Sequence, residues 1–149
     1  MSAADSAAPI RSAIGVTRAG TAIPCLLSAV DLKPETSKLR VLLVGGLDGQ
    51  SAGTQAVTAT LAAFSPGENQ PIALSAVPNV RPDQADTEVT PLVFPPAGSA
   101  YHQPENDVAH YLWRWIGMHA PDTVLLVAAE GDASRSEEHT SELQSPCNL

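Results

Sequence analysis

Apolar residues along the chain fall into short runs and one-sided stripes, and these predict its elements. Residues 14–16 and 22–30 (AIPCLLSAV) have strand character, with an Arg-Ala-Gly turn between them. Pro34 and mixed charges make 32–38 a turn. Residues 39–44 are almost wholly apolar, which suits a strand covered on both faces. Gly45, Gly46, Gly49 and Gly53 interrupt it. Between 51 and 64, Val57, Leu61 and Phe64 share one helical face with alanines between them. SPGENQP closes that helix, and 72–77 is the next strand. Residues 78–104 are Pro-rich and aperiodic, an unusually long loop for a compact domain. A second helix starts at Pro104, with Glu105 and Asp107 placed to complement the helix dipole. Its stripe is Val108, Tyr111, Leu112, Trp115 and Met118 or His119, and Pro121 ends it. Residues 123–129 (TVLLVAA) form a further buried strand. This order predicts a three-layer α/β/α domain with a mixed, mainly parallel sheet, incomplete at the C-terminus.

The 149 residues, 44% hydrophobic and 16% charged, suit one folded domain with a core. A net charge of -8 argues against nucleic acid or an anionic membrane as partner, since both need clustered Lys or Arg. No apolar run is long enough to span a bilayer, and MSAADSAAPIRSAIG lacks the features of a signal peptide. Cys25 and Cys147 form neither a metal spacing nor a disulfide framework, so a cytoplasmic protein is expected.

Residues 135–145, RSEEHTSELQS, read as the in-frame translation of a common sequencing-library adapter. Residues 135–149 are therefore set aside as an unstructured artefact, and His139, Glu137, Glu138, Glu142 and Cys147 carry no functional weight. The reading frame is expected to be cut near Ser134. Residues 1–134 keep 7 basic and 13 acidic side chains. Residues 1–12, rich in Ala and Ser, are expected to fray, which leaves 13–134 as the domain.

RVLLVGGLDGQSAGTQAV, a strand running through glycines into a helix, is where an α/β protein places its chemistry. A phosphate loop of the GxxxxGK[ST] type is excluded, because no lysine follows Lys38. The spacing Gly45, Gly46, Gly49, Gly53 fits GxGxxG poorly. The strand, the GG turn and the helix together resemble the zinc carboxypeptidase family, which spans carboxypeptidase A-like metallopeptidases and succinylglutamate desuccinylase/aspartoacylase-type deacylases. IGVTRAGTAIPCLL resembles that family's opening hairpin. VPNVRPDQ resembles its "NPDG" segment. ENDVAHYLWRWIGMHAPDTVLLV resembles the helix, turn and strand that carry its last zinc histidine. The likeness covers about residues 13–132.

The resemblance implies a zinc site and hydrolysis of a C-terminal peptide bond or related amide. The family's ligand positions, however, read Asp48, Ser51 and Ala128 here. Arg81 and Gln84 replace the usual Asn and Gly of its "NPDG" segment. TPLVFPP stands where its Asn-Arg pair is expected, and its catalytic Glu would lie beyond this chain. A catalytic zinc needs about three donors from His, Cys, Asp or Glu, so no metal and no catalytic residue is assigned. The chain is read as a fragment of such a domain, inactive as given. The alternative is a non-catalytic module binding a peptide or small carboxylate near Arg81 and Asp48. Asp48 serves either that crevice or as a cap for the following helix. A third expectation is an uncovered sheet edge after residue 129.

His102 and His110 match no ligand spacing and are read as loop and helix-surface residues. His119 suits the negative end of its helix. Trp113 and Trp115 face opposite ways, one into the core and the other partly exposed; Trp113 with Arg114 and His110 is read as solvated packing, with a contact surface as the alternative. Glu130 and Asp132 are the remaining acids for a noncanonical metal or a base, or else simply polar loop residues.

Overall fold

The computed structural model describes residues 9–27, 38–65, 69–84 and 92–129, apart from the side chains of Ala100 and Glu105. Within these residues, five strands make one sheet: β1 (Ile10–Val16), β2 (Ala22–Leu27), β3 (Leu39–Gly45), β4 (Ile72–Val77) and β5 (Thr123–Val127). Helix α1 (Ser51–Ala63) joins β3 to β4. Helix α2 (Asp107–His119) precedes β5 and is entered through two 3₁₀ turns, Gly98–His102 and Pro104–Asn106. The spatial order is β1-β2-β4-β3-β5. β1 and β2 form an antiparallel hairpin, and β2 meets β4 antiparallel. β3 runs parallel to both β4 and β5.

Period-two alternation in β3 creates the layers. Leu42 and Val44 face one side, where Leu112 and Trp115 of α2 and Ile14, Ile23 and Cys25 of the hairpin close the larger core. Val41 and Leu43 face the other side and pack with Val57 of α1, Leu74 and Ala76. The helices therefore cover opposite faces of the sheet, and the α/β/α layering holds. The apolar stripe of α2 buries Ala109, Leu112 and Trp115. Trp113 is 48% exposed, so the two tryptophans do face opposite ways. α2 stops at Ala120, whose left-handed backbone (φ 43°) lets its N–H reach Ile116 O at 2.8 Å.

Several boundaries differ from the sequence reading. β1 starts at Ile10, inside the stretch expected to fray, because residues 10–13 pair with β2. β2 ends at Leu27, and residues 28–30 lie outside the described residues. The 78–104 stretch contains the two 3₁₀ turns, and its residues 85–91 are not described. The α-helix begins at Asp107 rather than Pro104, since Pro104–Asn106 winds more tightly. β5 is not buried: Leu125 and Leu126 are 48% and 49% exposed. It has only β3 beside it among the described residues, and an apolar run does not distinguish an edge strand from a central one. Glu130, Asp132 and 135–149 lie outside the described residues.

Candidate functional site

The direction of the strands gathers the loops. β1, β3, β4 and β5 all point the same way, so the segments that follow them meet at one end of the sheet. α1 follows β3 onto one face and α2 follows β4 onto the other, so the switch point of the sheet lies between the ends of β3 and β4.

Glycines allow the chain to turn there. Gly46 and Gly49 have φ of 76° and 75°, a region that disfavours other residues. A side chain on Gly46 would also strike Asn79 Oδ1. Asn79 Oδ1 accepts the Arg81 N–H at 2.9 Å, and Gly45 O accepts the Val80 N–H at 3.1 Å. The segment after β4 is thereby fastened to the end of β3.

Asp48 sits in the turn after β3, beside the switch point. Its Oδ1 accepts the Gln50 N–H at 3.1 Å, and its Oδ2 accepts the Ala129 N–H at 2.8 Å. One carboxylate thus joins the turn after β3 to the residue beyond β5. The helix-cap expectation is corrected: Gln50 is the N-cap of α1, and its cap has no side-chain hydrogen bond. Ser51 is the first residue of α1, and Ala128 offers only a methyl group. Asp48 is the single strong donor of these three, and both its oxygens already accept backbone N–H groups. Among the described residues, no three of His, Cys, Asp and Glu stand close enough to hold a metal ion.

Arg81 is buried near Asp48. Burial pushes its guanidinium below the ordinary value, and attraction to Asp48 opposes that shift. It stays protonated all the same, as arginine does in proteins. The structure therefore brings the two predicted binding residues, Arg81 and Asp48, into one electrostatic neighbourhood.

Arg81 also lines a second feature, a cleft of about 570 Å³ on the α2 side of the sheet. Small-molecule sites are of this size. Its walls are the β1–β2 turn, the 81–84 turn and the start of α2. Val16, Leu92, Val108 and Tyr111 supply apolar surface. Asn106 is buried at its edge and pairs with the Val93 backbone in both directions at 3.1 Å, fixing that loop. Asp83 accepts hydrogen bonds from the hydroxyls of Thr17 and Thr21. These bonds hold its carboxyl below the usual range. The partners of Asp83 lie 62 and 66 residues away, and so no local motif announces them.

Among the described residues the histidines join no metal-holding group. His110 Nε2 donates to Tyr101 O at 2.7 Å, since a carbonyl can only accept. His102 and His110 both meet the Tyr101 ring edge-to-face, at 5.2 and 4.6 Å. His119 Nδ1 donates to Trp115 O at 3.0 Å, and its ring stacks on the indole at 4.0 Å. Trp113 meets Phe94 edge-on at 5.9 Å. No described helix is long and apolar enough to cross a membrane.

No family model and no curated protein matches the chain. A solved structure from Shewanella denitrificans OS217, described as a candidate metallopeptidase, is similar in fold, with a TM-score of 0.53 at 16% identity. The match covers 79% of this chain and 45% of that one, so this chain spans less than half the length of its structural neighbour; what the two share is an α/β fold.

Proposed function

We propose that this chain is a metallopeptidase-like domain that binds a ligand and does not hydrolyse it. The observation that carries the reading is the bonding of Asp48. A zinc-binding turn presents donors to a cation, whereas this turn directs its carboxylate at two backbone N–H groups. Without a bound cation, no water is acidified and no carbonyl polarised there. The carboxypeptidase-like subfamily, suggested by the residue pattern, belongs to the same proposal.

The ligand is a peptide or small carboxylate. Arg81 supplies the positive charge and lines a cleft whose other walls are partly apolar. An arginine suits a carboxylate because its fork of donors matches the two oxygens. The alternative, a working metallopeptidase, draws on the structural neighbour alone.

Metal analysis of the purified protein, with and without Asp48→Ala, tests the first half. Zinc well below one equivalent in both proteins is expected. One equivalent of zinc, lost in the variant, would overturn the reading. Calorimetric titration with a hydrophobic peptide, free or amidated at its C-terminus, tests the second. The free acid should bind more tightly; equal binding would remove Arg81 from the proposal.

A further inference from the structure

The β1–β2 turn has the construction of a hinged flap. The pairing of β1 with β2 shifts register between Ala13 and Gly15. Such an irregularity bends a strand and loosens the ladder there. Gly15 then lies flat on Tyr111, where a Cβ would come within 2.5 Å of the ring. Only glycine lets the strand pass this close to the cleft wall. Beyond it, Gly15 and Val16 pair with Ile23 and Ala22, and the tip turns at Gly20 with φ 87°.

Two contacts fix the tip, one on each wall of the cleft. Thr17 and Thr21 donate to Asp83 on the 81–84 turn. Arg18 Nε donates to Asp107 Oδ2, at the start of α2, at 3.3 Å. Thr17, Arg18, Asp83 and Asp107 all line the cleft. Both contacts lie at the surface, where polar pairs are weak and exchange readily with water.

We propose that residues 16–22 form a flap, hinged beside the register shift and latched by Asp83 and Asp107, whose opening governs entry to the cleft. This holds whatever the cleft binds and does not depend on the absence of zinc. Beyond the hinge the tip is held mainly by its own hairpin bonds and these surface contacts, so it opens at lower cost than the core strands.

Amide hydrogen exchange on the whole chain tests it, with Asp83→Ala and Arg18→Gln combined. The Thr17 and Gly20 amides bond within the tip, to Thr21 O and Thr17 O, and neither bond is removed by these substitutions. Their protection should fall about threefold to tenfold, the scale of two exposed polar contacts. Protection of residues 10–13 and of β3 should not change. Unchanged protection of the tip would overturn the flap. So would an equal loss in residues 10–13, because the hairpin would then open as one piece. Should the double variant lose protection throughout, wild-type protein compared at low and high salt decides. Of the ion pairs, Arg18–Asp107 alone is at the tip, and raising the salt must then speed exchange of the Gly20 amide more than that of the Leu42–Val44 amides inside β3.

Discussion

Asp48 and Asp83 lie at the same end of the sheet, and each accepts two hydrogen bonds, yet they do different work. Asp48 bonds two backbone N–H groups, of Gln50 and Ala129. Those donors are fixed by α1 and by the end of β5. Asp83 bonds two threonine hydroxyls on an exposed turn. Those donors rotate, and water can replace them. The first carboxylate is a clamp between the turn after β3 and the residue beyond β5. The second is a latch at the rim of an open cleft. Donor type and burial, rather than the number of bonds, separate a structural carboxylate from a movable one.

The glycines sharpen this contrast most. Gly53 lies within α1, where alanine is ordinarily the better residue by about 1 kcal/mol. A Cβ there would sit 2.5 Å from Val127 O, a backbone atom that cannot yield cheaply. Gly53→Ala should therefore destabilise the protein by about 2–3 kcal/mol. For a chain of this size that lowers the melting temperature by roughly 4–12 °C. A stable Gly53→Ala protein would show that the crevice is looser than the clamp requires. Asp48→Ala comes next. It leaves two N–H groups without their charged acceptor, at about 2 kcal/mol. Asp48→Asn should recover little of this, because its amide NH₂ would face a donor. Gly20→Ala at the tip has the smallest cost of the three. Its φ is unfavourable for alanine, but nothing lies within 4 Å of the added carbon. About 1 kcal/mol is expected. Urea melts of the variants at one pH rank all these effects.

The crevice was legible in the sequence and the cleft was not. RVLLVGGLDG announces a strand, a glycine turn and an acid, and the structure places Asp48 at that strand's end. Its partner could not be read, because Ala129 N belongs to the backbone 81 residues later. That is why a capping role and a crevice role stood open together for Asp48. The α2 stripe was readable for the same local reason, since helical spacing alone selects Leu112 and Trp115. β5 was misjudged because TVLLV looks alike at the edge or the centre of a sheet. The latch joins Thr17 and Thr21 to Asp83 across more than sixty residues, and threonine and aspartate in turns are too common to suggest it.

Acid separates a hydroxyl-held carboxylate from a backbone-held one. The Asp83 carboxyl is lowered first by Thr17 and then by Thr21, with slight burial opposing. A lowered folded-state value stabilises the protein above the unfolded aspartate value, about 3.9, and that stability is lost as pH falls through the lowered one. Wild-type protein and Asp83→Asn should therefore converge in stability as pH drops below about 4. Asp122 supplies the internal control. Its carboxyl is lowered chiefly by the Arg40 backbone N–H at 2.8 Å, a donor that no side-chain substitution deletes. In a Thr17→Val, Thr21→Val protein, an NMR titration of the carboxyl carbons should show Asp83 returning toward 3.9 and Asp122 staying low. If Asp83 keeps its lowered midpoint without the two hydroxyls, some other donor holds it, and the difference drawn between clamp and latch is wrong.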